Sequence, residues 1–215
     1  MSTTLDVYCV PYDLLCNVRG LIGKQTLAEI ENDSDWFDWM RERDEDTQIA
    51  IADGWVPRFL SCWDAAQQIA NGEPLDPQLG DVYFNAYWMF CLLLADDEDF
   101  QWSAMTGGVS SWFDTLDTQL KKARVDLSIN DLAFRGPALP QLPAVSEWTW
   151  AGFWTPTQIL DAAKKFESPI GPLSPLRWLV GLRVGRELSA VIEEISQWTH
   201  AAASKPGHCL VGFYG

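Results

Sequence analysis

Histidine and cysteine are the side chains most ready to do chemistry, and here three of them gather near one end of the chain: His200, His208 and Cys209. A structural zinc site takes four such ligands, usually in close sequence pairs, and nothing nearby completes the set. His208 and Cys209 are neighbours, but adjacent side chains on a strand leave by opposite faces, so they do not form a nucleophile and its base. Gly107-Gly108 lacks the lysine and the spacing of a phosphate-binding loop. With 30 acids in the chain, neighbouring carboxylates are too common to mark an acid–base pair. The sequence therefore assigns no catalytic residue, no metal ligand and no cofactor, and an enzyme of unrecognised type stays only as a second alternative.

Two groups of residues point instead to binding. The first is acidic and aromatic: Asp33, Asp35, Trp36, Asp38, Trp39, Glu42, Asp44, Glu45 and Asp46, joined by the run Asp96, Asp97, Glu98, Asp99. Tryptophans are enriched at the energetic centres of protein interfaces, so tryptophans in an acidic field suit a docking surface for a basic protein. A solvated acidic face is the plainer account. The second group is Trp102, Trp112, Trp148, Trp150, Phe153 and Trp154, which reads as core or, alternatively, as the lining of a small-molecule pocket in a sensory domain.

Charge sharpens the first reading. The net charge is −15, with 20 acids against 5 bases in residues 1–110 and 10 against 10 in residues 111–215. A field of that sign repels nucleic acid and anionic membranes and speeds encounter with a cationic partner. The chain is 47% hydrophobic with twelve tryptophans, so it can bury a sizeable core. Its five cysteines are odd in number and lie mostly in apolar surroundings, and the first residues show no basic segment leading into an apolar one. Both features point to reduced thiols and a cytoplasmic setting.

The elements that must position these groups follow from periodicity and breakers. Leu5–Val10 reads as a strand ended by Pro11, followed by short helices over Tyr12–Val18 and Lys24–Glu31. A charged helix starts at Ser34 or Asp33, with its aromatics at mixed spacing and no clean apolar face. Another helix is expected from Pro57 to Ala70. Val82–Ala95 is apolar but for Asn85: too short to span a bilayer and apolar all round, it is a buried helix, with Asp81 as its N-cap. The chain is expected to be organised around it. Ser110 or Ser111 opens a helix ending in Lys121, Lys122 and Arg124, and residues 136–145 read as a proline-rich connector. Glu147–Trp154 is expected to be a strand and Pro156–Phe166 a helix. Leu176–Ala203 is a long helix, with Gly181 and Gly185 allowing close approach. The chain closes on a strand, His208–Tyr214.

The order of an N-terminal strand, acidic helices, YFNAYWMFCLLLADDED, WTWAGFWTPTQILDAA and a long helix before HCLVGFY resembles small bacterial proteins of the YfbM-like kind, some of which sit among toxin-immunity repertoires. The resemblance is one of pattern and order over most of the chain. It implies an α+β fold and no catalytic residues. The expectation is a single α+β domain over residues 1–215, mostly helical, whose small sheet pairs the strands at the two chain ends. The expected function is non-enzymatic binding of a basic protein, with immunity to a basic toxin as the leading form. The oligomeric state is left open.

Overall fold

A computed structural model describes residues 3–95, 99–104, 109–145, 150–167 and 183–214. Its centre is a sheet. Strands β1 (Thr3–Pro11), β2 (Asp99–Ala104), β3 (Trp150–Trp154) and β4 (His208–Tyr214) pair in the order β2-β1-β4-β3, every neighbour antiparallel. The two end strands are adjacent, in register from Leu5 opposite Tyr214 to Pro11 opposite His208. Both are covered on two sides, which is why HCLVGFY is almost continuously apolar instead of alternating. Leu5, Val7, Cys9, Leu210 and Tyr214 face one core; Tyr8, Val10, Cys209, Val211 and Phe213 face the other.

The second of these cores holds the acidic half of the chain: α1 (Tyr12–Cys16), α2 (Leu21–Ile30), α3 (Ser34–Ala52), α4 (Cys62–Asn71) and α5 (Gly80–Leu94). Helix α5 lies directly on the sheet. Phe84, Tyr87 and Trp88 meet the Phe213 ring at 5.6, 5.9 and 5.0 Å. On its other side it is covered by α2 and α4, whose Leu27, Ile30, Ala65, Ala66 and Ile69 belong to the same core. A helix with sheet on one side and helices on the other has no wet face, and this explains the unbroken apolar run. The organising element is nevertheless the sheet, because α5 serves one of its faces only.

The opposite face is covered by α6 (Val109–Lys122), α7 (Ile129–Phe134), α8 (Pro156–Phe166) and α9 (Arg183–Ala203). They contribute Phe113, Leu116, Leu120, Leu132, Ile159, Ile192, Ile195 and Trp198 to a core that also takes Trp154. Asp117 fastens α6 to α7, accepting from Ser128 Oγ at 2.6 Å, Ile129 N at 2.5 Å and Asn130 Nδ2 at 2.9 Å. The architecture is thus α+β, mostly helical, with a small sheet that includes both end strands.

Several boundaries differ from the sequence reading. Helix α3, given only a start by the sequence, runs to Ala52. Helix α4 begins at Cys62, not Pro57, because the Ser61 hydroxyl accepts from Asp64 N and supplies the cap. Helix α5 begins at Gly80, so Asp81 sits in its first turn; the capping carboxylate is Asp76, which opens the 3-10 turn Pro77–Leu79 and accepts from Gln78 N. Strand β2 and helix α7 were not foreseen. Asp96, Asp97, Glu98, Gly107, Gly108, Trp148, Gly181 and the loop 169–175 lie outside the described residues, and so does the start expected for the last long helix.

Candidate functional site

Helix α3 sorts the acidic group by face. Asp33 is its N-cap, accepting from Asp35 N at 2.9 Å and Trp36 N at 3.3 Å. Trp36, Trp39, Met40, Arg43, Thr47 and Ala50 recur at steps of three and four, which makes them one face, and that face turns inward. Trp39 lies 6.0 Å from Trp36 and 6.2 Å from Trp88, ring centre to ring centre, and the Arg43 guanidinium sits 5.7 Å from the Trp39 and Trp88 rings alike. The two tryptophans expected as exposed anchors are instead half-buried packing that seats α3 on α5.

The outward face carries the acids. Asp35, Asp38, Glu42, Glu45 and Ile49 also recur at steps of three and four, and all five are exposed. Asp38 pairs with Arg41 at 3.0 Å and Asp46 with Arg43 at 3.3 Å. The exposed Asp38–Arg41 pair contributes little to stability and leaves the stripe acidic. Asp44 has left the stripe: its Oδ1 accepts from Cys62 N at 2.7 Å, and burial raises its pKa against the partial relief of that bond. Asp99 pairs with Tyr8 across the β1–β2 ladder.

Where the stripe ends, apolar side chains are exposed. Ile49 is 61% exposed and Trp55 60%, and Phe59 follows in the same loop. The chain turns at Asp53-Gly54, with Gly54 at φ 79°, and Trp55 N returns to the Ala50 carbonyl at 2.8 Å. Trp55 was missed by sequence reasoning. Its signal was present: a tryptophan straight after an Asp-Gly turn has no periodic core to join.

The second aromatic group is dispersed. Trp154 is fully buried, its Nε1 donating to the Ser128 carbonyl at 2.8 Å. Trp112 is half-buried against the same core. Trp150, at the sheet edge, stacks on Tyr214 at 5.5 Å, and Phe153 on the other face stacks on Tyr12 at 6.1 Å. Trp102 pairs with Leu5 in the β1–β2 ladder.

His208 and Cys209 do separate as strand geometry requires. Cys209 is buried, its Sγ donating to the Val10 carbonyl at 3.3 Å, while His208 Nδ1 lies near the Pro206 carbonyl. Burial pushes the thiols of Cys91 and Cys209 well up and that of Cys62 up to about 12, so none of the three is a thiolate at neutral pH. Among the described residues, no three of His, Cys, Asp and Glu stand together as metal ligands. No helix of the described residues is long and apolar enough to cross a membrane.

Fold and site together define an α+β chain that presents, among the described residues, an acidic helix face followed by an exposed apolar loop. The chain belongs to the family described as a domain of unknown function, DUF7691, whose family model matches residues 1–215. No curated protein and no solved structure matches it.

Proposed function

We propose that this chain is a non-enzymatic binding module for a basic protein, docking through the outward face of α3 and the loop after it. The observation that carries this is the continuity of Asp35, Asp38, Glu42 and Glu45 with exposed Ile49 and Trp55. Acids at a rim steer a cationic partner and set its orientation, and a large aromatic gives the buried anchor that holds it. The concentration of all the excess negative charge in residues 1–110 supports the same reading. The use that fits this chemistry is cover of a cationic site by steric and electrostatic occlusion, as in immunity to a basic toxin. The setting that suits it is the cytoplasm.

The test is capture of a partner from source-cell extract at low salt, followed by association kinetics. The on-rate should fall at least about tenfold as salt is raised through the range that screens surface charge. Changing Asp38, Glu42 and Glu45 together to Ser should slow association without moving the melting temperature. Trp55→Ala should act on the off-rate. A specific partner whose binding ignores both salt and the triple change would overturn the proposal.

A further inference from the structure

A second feature lies on the same half of the molecule and is independent of the acidic stripe. Between α2 and α4 runs a groove of about 280 Å³, walled by Lys24, Leu27, Ala28 and Glu31 on one side and Trp63, Gln67, Ala70 and Asn71 on the other. Gly23 abuts Ala70, so closely that a Cβ on the glycine would stand 3.0 Å from the alanine methyl. The start of α2 thus meets the end of α4, and the helices are antiparallel. Lys24 stands at the Asn71 end of the groove and Glu31 at the Trp63 end.

The two ends have opposite character. At one, Lys24 and Asn71 line the groove; Asn71 Nδ2 donates to the Glu73 carboxylate at 3.0 Å, and Arg19 Nη2 donates to the Glu73 carbonyl at 2.9 Å. At the other, Glu31 and Trp63 both line the groove, and the Phe37 ring lies 5.7 Å from that of Trp63. A carboxylate beside an indole suits an ammonium group, held by charge and by the ring face. Between the ends, Leu27, Ala28 and Ala70 give the lining an apolar stretch, with Gln67 beside it.

Spacing decides what could fill it. Lys24 and Glu31 are seven residues apart on one helical line, ~10 Å at 1.5 Å per residue, too far to pair with each other. Three extended residues span ~10 Å as well. Gln67 and Asn71 are four apart, ~6 Å, close to the ~7 Å covered by two extended residues. We propose that this groove binds a short zwitterionic peptide of about three residues: ammonium end between Glu31 and Trp63, carboxylate end at Lys24, backbone amides on Gln67 and Asn71, and an apolar central side chain on the alanine floor.

The probe is Gly-Leu-Gly with free termini, titrated calorimetrically into the full chain beside its N-acetylated and C-amidated forms. Saturable binding with a dissociation constant at or below about 1 mM is expected, weakened at least about tenfold by either blocking group. Glu31→Gln should weaken the free peptide by a similar factor and leave the N-acetylated form unaffected; Lys24→Gln should behave in the same way toward the C-amidated form. Ala28→Leu, at an exposed floor position, should abolish binding with the circular dichroism spectrum unchanged. The proposal is overturned by absence of saturable binding, by equal affinity for free and blocked peptides, or by full affinity in the Ala28→Leu chain. Adenosine binding where the peptide does not would overturn it too, assigning the Trp63 wall to a base.

Discussion

The Asp44 carboxylate reaches from α3 to the first residue of α4, accepting a 2.7 Å hydrogen bond from Cys62 N. First-turn amides of a helix have no partner within it, and Ser61 already serves Asp64 N. Asp44 is therefore a cap delivered from another helix, and it fixes how α3 and α4 meet. Asp44→Ala should lower stability by about 1 kcal/mol.

Asp44→Asn keeps an acceptor and removes the ion, so it separates the bond from the charge. Burial leads the causes that raise the folded pKa of Asp44, so the native state takes up the proton before the unfolded chain does. From this group, stability is gained as pH falls through the folded pKa and lost as pH rises through it. Denaturant melts from pH 7 downward should show the original chain gaining on Asp44→Asn with acidification. A constant gap across that range would reject the assignment.

Trp39 was expected to act on a partner, and its position gives it another role. It fills the contact between α3 and α5, with Trp88 beside it and the Arg43 guanidinium over both rings. Trp39→Ala should lower the denaturation free energy by about 2 kcal/mol, less than a fully buried tryptophan would because the site is partly open. Trp55→Ala should cost under about 0.5 kcal/mol. The pair of melts decides which tryptophan is structural.

How far the sequence revealed this molecule varied with the reach of the interactions. The end strands were legible because two apolar runs at the chain termini can hardly stay ordered unless they pair. Helix α5 was legible because an apolar surface all round admits few environments. The inward face of α3 was not, since Arg43 and Asp44 interrupt an otherwise regular spacing of Trp36, Trp39, Met40 and Thr47. Arg43 lies inward by resting on two indoles, one of them Trp88 on another helix, and Asp44 by capping Cys62 eighteen residues on, and these distant partners cannot be read from local spacing. Strand β2 owes its conformation to pairing with residues more than ninety positions away, which local propensity cannot see. Of the candidate surface, the acids could be read directly, whereas the exposure of Trp55 and the inward turn of Trp36 and Trp39 could be seen only once the faces of α3 were known.

Gly152 sets how closely α7 can lie on the sheet. A Cβ there would run into the Asp131 carbonyl and the Leu132 backbone, and one on Gly212 of the adjacent strand would stand 2.5 Å from the Leu132 carbonyl. Gly136 N also donates to the Ala151 carbonyl at 2.8 Å, so α7 cannot easily lift away. Gly152→Ala should cost about 3 kcal/mol or prevent folding. Gly54→Ala is the contrast: its φ of 79° disfavours a side chain but nothing lies within 4 Å, so about 1 kcal/mol is expected. Equal losses at the two positions would show that α7 yields to the added methyl and that the close approach over Gly152 is not what fixes it.

None of the five cysteines is in a disulfide, and their burial divides them. Cys9, Cys62, Cys91 and Cys209 are at most 1% exposed, while Cys16 is half-buried near the surface. The thiolate is the nucleophile that attacks a thiol reagent, so access and acidity both matter. With its pKa pushed up to about 12, Cys62 holds roughly one part in ten thousand of thiolate at pH 8. Cys91 and Cys209 are held higher or similarly by the same desolvation. Cys16 is shifted up less, by partial burial that its hydrogen bond with Tyr12 partly offsets. Titration of the native chain with a disulfide reagent at pH 8 should show one thiol reacting fast and four reacting only as the chain opens. In denaturant without reductant all five should react at once. A second fast thiol would mean that one of the two cores opens locally on that timescale, and fewer than five in denaturant would reveal a disulfide that the structure does not contain.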